Sequence, residues 1–275
     1  MLICQLTNCT PYQMMGYVIK TTAGKIIVID GGGYDQSPEL YRILSLWGKT
    51  VNLWFLTHNH SDHYASIMEI VRNHPDITIN SLWRSNCEDS RVIHSLPPTE
   101  LQELKEWTSF ESEIKIPLHK LQAGQNFNID DIEINVISAE NTDILENNPN
   151  NQSVVLKFSD NDFSIIFLGD LGKEGGEQLL KEHGNAIQCT AVQTAHHGQQ
   201  GVGREVYEKI AAQYAFWPTP KWLWDNTPYL DGEPGKGCFT TPETAQWMQE
   251  LGAINITSFD SSIVFNTKTH EVEKI

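Results

Sequence analysis

The chain has 275 residues, 40% of them hydrophobic, enough to bury one large core or two small ones. Its 35 acidic and 19 basic side chains give a formal charge of −16, which argues against a broad basic face that grips nucleic acid non-specifically. Five scattered cysteines (Cys4, Cys9, Cys87, Cys189, Cys238) make no Cys-x-x-Cys pair and read as reduced thiols. No apolar run has membrane-spanning length, and the start lacks a basic, apolar leader, so a cytoplasmic chain without a membrane partner is expected.

Residues 2–7 and 15–21 read as strands on either side of a polar turn at Thr10-Pro11. A buried strand follows over Lys25–Asp30 and closes on three glycines. Ser37-Pro38-Glu39 supplies a cap and a proline for a helix to about Trp47, which Gly48 stops. The apolar run Leu53–Leu56 then breaks into Thr57-His58-Asn59-His60-Ser61-Asp62-His63. Three imidazoles and a carboxylate on one short stretch at a strand end are the usual ligand types for zinc and its neighbours. On a regular strand His58, His60 and Asp62 share one face and His63 points away, so the chain must turn near Asp62 to bring His63 back.

Further on, helical spacing covers 65–73 and a strand covers 77–83. Pro98 to about Phe110 reads as an amphipathic helix with a solvated face of Glu and Lys, and strands are expected near 113–118 and 131–138. Residues 140–152, rich in Asn, form a loop. A hairpin over 153–158 and 163–168, turning at Asp160-Asn161, runs into Gly169-Asp170. An acid at the end of a buried strand needs a partner, either a helix end or a metal. After a short helix at 176–182, the strand 188–194 ends in Ala195-His196-His197-Gly198, a third strand terminus with metal-binding groups. A helix over 203–212 precedes a Trp- and Pro-rich insertion at about 216–238. Its rings Trp217, Trp222 and Trp224 either pack on the domain or wall a substrate cleft. A helix from Thr240 to Leu251 and two strands close the chain. His74, His94, His119 and His183 read as surface or structural residues.

The run His58-x-His60-x-Asp62-His63 resembles the signature of the metallo-β-lactamase superfamily. The resemblance implies an α/β chain folded as one four-layer αββα sandwich over 1–275, with two divalent metal ions, zinc first and manganese second. It implies that His58 and His60 hold one ion, and that Asp62 and His63 hold the other. It makes Asp170 the bridging ligand and His197 a ligand of the second ion. His196 is then the alternative ligand, a supporting group or a proton donor. Asp30 is implied to orient the metal loop, and Asn151 to support it. The run Asn151-x-Ser153-Val-Val-Leu, Leu168-Gly169-Asp170 and Ala195–Gly198 narrow the likeness to the lactamase-like domain of the competence-protein ComEC group. That likeness implies a nuclease or phosphodiesterase.

One departure stands out. Most hydrolases of the superfamily place a third His for the first ion just before the hairpin, whereas this loop offers Asn147, Asn148, Asn150 and Asn151. Amide oxygens suit harder ions such as manganese or magnesium better than zinc. The expected activity is hydrolysis by metal-bound hydroxide of a small-molecule or nucleic-acid phosphodiester, with Asp62 orienting the nucleophile and His196 or Tyr64 protonating the leaving group. The alternatives are a hydrolase of a small carboxylic ester, lactone or thioester, and a metal-binding module without catalysis.

Overall fold

The computed structural model describes residues 1–85, 90–228 and 232–275, so Cys87 and part of the 216–238 stretch lie outside the described residues. Strands β1 (Leu2–Gln5), β2 (Gly16–Lys20), β3 (Ile26–Asp30), β4 (Thr50–Leu56), β5 (Thr78–Ile79), β6 (Leu82–Arg84) and β7 (Leu118–Lys120) lie in one sheet. The second sheet takes β8 (Asn126–Ile129), β9 (Ile132–Ser138), β10 (Val155–Asp160), β11 (Phe163–Phe167), β12 (Ala191–Gln193), β13 (Tyr214–Trp217) and β14 (Ile254–Thr257). The chain then returns to the first sheet through β15 (Ile263–Asn266) and β16 (Val272–Lys274). Strand order is β16-β15-β1-β2-β3-β4-β6-β7 in the first sheet, with β5 beside β4, and β14-β13-β12-β11-β10-β9-β8 in the second.

Each sheet is antiparallel on one side and parallel on the other. The parallel runs are β3-β4-β6-β7 and β11-β12-β13-β14. Parallel neighbours need long crossovers, and helices provide them. Around the first sheet these are α1 (Ser37–Trp47), α2 (Ser61–Asn73), α3 (Ser90–Ser95) and α4 (Pro98–Glu113); around the second they are α5 (Lys173–His183), α6 (Arg204–Ile210), α7 (Lys221–Trp224) and α8 (Thr241–Glu250).

Alternation along the strands sorts the apolar side chains into three layers. In β3, Ile27 and Ile29 join Tyr17, Phe55, Phe158, Phe167 and Phe216 between the two sheets. Ile26 and Val28 point the other way, onto Leu40, Ile43, Ile67, Trp107 and Phe110 of the helices. A third layer packs Val155, Ile166 and Val192 on Leu179, Val206, Ile210 and Met248. The result is a four-layer αββα sandwich in the α/β class. Because both faces of its central strands are covered, those strands read as unbroken apolar runs.

Several local expectations change. The helix expected to end near Phe110 continues to Glu113, and the strand after it is the short β7 beginning at Leu118. The hairpin pairs Asp160 with Phe163, so its turn residues are 161 and 162. Residues 216 and 217 belong to no insertion: β13 is buried along its length between β12 and β14, and α7 follows it.

Candidate metal centre

The chemistry gathers at the carboxyl ends of the parallel strands, where diverging chains leave a crevice. β3 ends in Asp30, β4 runs into Thr57–His60, β11 passes through Leu168 and Gly169 into Asp170, and β12 leads to His196 and His197. The turn needed near Asp62 is helical: α2 begins at Ser61, ahead of the expected start at Ala65, and its first turn carries Asp62 and His63 back over the strand ends.

Two groups of side chains converge there. Asp62, His63, Asp170 and His197 form one, and His58, His60 and Asp170 the other; within each group the ligand atoms lie within 4.8 Å of one another. Asp170 belongs to both. Its Oδ2 is 3.2 Å from His63 Nε2, 3.2 Å from His197 Nε2 and 3.9 Å from His58 Nε2. His197 Nε2 is also 3.3 Å from Asp62 Oδ2, and His58 Nε2 is 3.0 Å from His60 Nδ1.

The outer nitrogens fix which face each ring shows. Asp30 Oδ2 lies 2.8 Å from His63 Nδ1 and accepts the Thr57 hydroxyl at 2.8 Å, while Asp30 Oδ1 accepts the Thr57 N–H at 2.8 Å. Thr57 Oγ1 is in turn 3.1 Å from His58 Nδ1. Pro218 O accepts from His197 Nδ1 at 2.9 Å. These contacts hold the Nδ1 protons outward and leave the Nε2 lone pairs of His58, His63 and His197 facing inward. Among the described residues, His63 Nε2, His197 Nε2 and Asp170 Oδ1 are buried without a hydrogen-bond partner. Buried polar atoms are rarely left so. Inward-facing imidazoles and carboxylates of this kind fit a divalent metal ion.

Without a cation, the charges answer one another. Burial pushes the Asp170 carboxyl up, but His197 and His63 outweigh it and hold it well below the carboxylate range. Asp62 is likewise held low by His63 and His197 against its burial. Burial pulls the His197 imidazole down, yet Asp170 and Asp62 raise it to about 10, and His63 rises well above its ordinary value beside Asp170, Asp30 and Asp62. His58 is pushed well below its ordinary range by burial and by its neighbours His63 and His60.

Backbone geometry at the third strand end is unusual. His196 and His197 have φ of 51° and 54°, a left-handed conformation that costs a non-glycine residue about 1–3 kcal/mol. The two rings are thereby turned towards Asp170, with His196 Nε2 at 3.9 Å from its Oδ2. Gly198 continues the turn at φ 83°, and a Cβ there would meet the Trp217 ring at 2.4 Å. Gly169, with φ 57°, brings the Asp170 backbone against Ser153, whose Oγ accepts the Asp170 N–H at 3.0 Å. Burial lowers His196, which favours its neutral form.

His197, the expected ligand, falls in the group with Asp62 and His63, and His196 does not. Other expected roles shift. Tyr64 leaves the site: its ring is buried on Trp107 and its hydroxyl donates to the Glu103 carbonyl at 3.0 Å. Asn151 braces the chain after Asp170, its Oδ1 accepting the N–H groups of Gly172 and Gly175 at the start of α5. Trp217 is fully buried in the third layer, its indole N–H donating to Asn255, and Trp224 packs edge-on against it. Of the three rings, Trp222 lines the cleft of about 470 Å³ over the centre, with Pro11, Tyr12, Gln13, His60, Asp62, Glu100 and Glu103. No Lys or Arg is among its described lining residues.

Sequence reasoning missed other participants. Gln193 accepts the N–H groups of Leu168 and Gly169 and donates to the carbonyls of Gly169 and Thr194, locking the Asp170 and His196 segments together. Its position as a buried amide at an otherwise apolar strand end was the available signal. Where a third histidine was expected, Asn150 stands with Nδ2 at 3.5 Å from His196 Nε2 and a buried Oδ1 without a hydrogen-bond partner.

Comparison with known proteins agrees with this architecture. A family profile described as "Beta-lactamase superfamily domain" matches residues 34–255. ComE operon protein 3 of Bacillus subtilis (strain 168) is 23% identical over 211 residues, 70% of this chain and 25% of that protein, so the chain spans a quarter of that relative's length. The metallo-beta-lactamase fold protein YhfI from Bacillus subtilis superposes with a TM-score of 0.56 at 8% identity, over 97% of this chain and 100% of that one, a likeness of fold. Among the described residues no helix is long and apolar enough to cross a membrane.

Proposed function

Because the chain belongs to the beta-lactamase superfamily, we propose that it is a metal-dependent hydrolase, and that its substrate carries a phosphodiester bond on a compact molecule. The observation that carries the reading is Asp170, whose Oδ2 stands between imidazoles from two groups. A carboxylate so placed could be shared by two cations, which supports the reading. His58, His60 and Asp170 would hold one cation, and Asp62, His63, Asp170 and His197 the other. Divalent ions bound there, zinc or manganese, would supply Lewis acidity, acidifying a water and offsetting charge that develops on the oxygens of the scissile group.

The chain's own residues prepare that centre. Asp30 and Thr57 hold His63 and His58 with their Nε2 lone pairs inward, and Pro218 does the same for His197. Asp62 reaches from the centre to the cleft floor, where its carboxylate can orient an incoming water. His196 sits at the rim of the centre, its ring partly exposed and its Nε2 3.9 Å from Asp170 Oδ2, where it could pass a proton to the leaving group. Trp222 and Tyr12 offer aromatic surface to the organic part of the substrate. Glu100 and Glu103 line the same cleft, and no Lys or Arg is among its described lining residues. A polymer's flanking phosphates would meet those carboxylates, which supports a small diester over a long nucleic acid. The same lining favours the second reading, a small carboxylic ester or lactone.

Metal-loaded protein tested on bis-p-nitrophenyl phosphate, p-nitrophenyl acetate and single-stranded DNA separates the readings. Turnover of the diester well above that of the acetate and of DNA is expected. Cleavage of the acetate alone transfers the conclusion to ester hydrolysis. Stoichiometric metal with no turnover of any of them leaves a metal-binding module.

A further inference from the structure

Helix α4 carries carboxylates at 100, 103 and 106; Glu100 and Glu103 are half-buried against the segments that build the centre, while Glu106 is exposed. Glu103 accepts the Ser61 hydroxyl at 2.7 Å and its N–H at 3.3 Å, at the first turn of α2. Glu106 accepts the Tyr34 hydroxyl at 2.6 Å. Glu100 faces His60: its Oε1 is 3.7 Å from His60 Nε2, and its Oε2 is buried without a hydrogen-bond partner.

His60 is the ring whose orientation is reversed. His58, His63 and His197 show Nε2 to the centre and are fixed through Nδ1 by Thr57, Asp30 and Pro218. His60 shows Nδ1 to His58 Nε2 at 3.0 Å, so its outer nitrogen is Nε2, the atom that meets Glu100. A metal-binding imidazole ordinarily passes its outer proton to a carboxylate, carbonyl or water, which fixes the tautomer and raises the basicity of the inner nitrogen. The group that contains His60 has three members against four in the other, so it has least to spare if one ring turns.

We propose that Glu100 is a positioning residue for His60: its carboxylate is the acceptor for Nε2–H and so keeps Nδ1 unprotonated towards the cation that His58, His60 and Asp170 would hold. This rests on the two-cation reading above and adds a residue from a helix that no metal-binding motif reaches.

Cobalt titration of the metal-free protein tests it, followed by calorimetry and by the visible absorption of bound Co²⁺. Wild type is expected to take up two ions with unequal affinity. Glu100→Ala should weaken the looser site by about 10- to 100-fold and leave the tighter one within about twofold. Glu100→Gln keeps an acceptor oxygen and should lose clearly less than Glu100→Ala. Unchanged uptake by Glu100→Ala overturns the assignment, as does equal weakening of both sites. Equal loss in Glu100→Ala and Glu100→Gln, with the cobalt spectrum altered alike, overturns it in favour of direct ligation by Glu100. A wild-type protein that binds no cobalt removes both this inference and the reading beneath it, whereas two bound ions with an indifferent Glu100→Ala removes this inference alone.

Discussion

Asp30→Asn should damage metal binding more than Asp30→Ala does, although it should damage stability less. Asp30 is fully buried and accepts from Thr57 N, Thr57 Oγ1 and His63 Nδ1, each at 2.8 Å. Alanine leaves all three donors unpartnered, a loss of about 3–5 kcal/mol for a buried charged partner removed. Asparagine still accepts the Thr57 N–H through Oδ1, so the loss falls to about 1–3 kcal/mol. Its amide, however, puts N–H donors where Oδ2 now takes the His63 proton. The ring can satisfy that amide only by moving its proton to Nε2. That nitrogen is 3.2 Å from Asp170 Oδ2, so the proton then occupies the line on which a cation must bind. Loss of one oriented imidazole corresponds to about 10- to 100-fold in affinity, or about 1.4–2.8 kcal/mol. Thermal melts of the metal-free variants and zinc competition titrations measure the two orders separately. If Asp30→Asn binds zinc as tightly as wild type while Asp30→Ala does not, the tautomer argument is wrong.

Three further outcomes follow from the geometry. His197 keeps its proton to about pH 10 in the metal-free protein and His63 is raised well above its ordinary value, so a cation must displace both. Affinity should therefore climb as pH rises towards 10, with about two protons released per loaded centre near neutrality; calorimetry in buffers of different ionisation enthalpy reads that number, and a value near zero contradicts it. Trp217→Ala should cost about 3–5 kcal/mol of stability, while Trp222→Ala should leave the melt within about 1–2 kcal/mol and raise KM, and the reverse pattern in melts and kinetics would place the wrong ring in the cleft. Tyr64→Phe should lose about 1 kcal/mol, the bond to the Glu103 carbonyl, with kcat within about twofold of wild type; a tenfold fall at unchanged metal content would return the hydroxyl to the reaction.

Much of the site was legible because its parts are strand terminators. Apolar runs that break into His58–His63, Asp170 and His196-His197 announce themselves in one dimension, and the structure gathers all three breaks. What failed to show depends on direction in space. Tyr64 follows His63 by one residue, but in α2 that step is about 100° of rotation, which takes its ring to Trp107. Glu100, Glu103 and Glu106 sit one turn apart, a pattern identical to a solvated acidic face until Ser61, Tyr34 and His60 are brought beside it. Trp217 was read by its company, a Trp- and Pro-rich run, when the residues before it, Tyr214 to Phe216, were already building β13. Strand β8 is too short for its alternating Asn and apolar residues to stand out from the turns around it.

The hydrogen bond from Val154 N to Thr57 O, 2.9 Å long, joins the end of one sheet to the end of the other beneath the centre. The groups above it are divided in the same way: His58, His60, Asp62 and His63 ride on one leaf, Asp170 and His197 on the opposite one. Any cation held between them would therefore tie one sheet to the other. Metal occupancy should slow amide exchange at Val154 and raise resistance to proteolysis along the seam, so the loaded and stripped proteins differ in how freely the two leaves breathe as well as in chemistry.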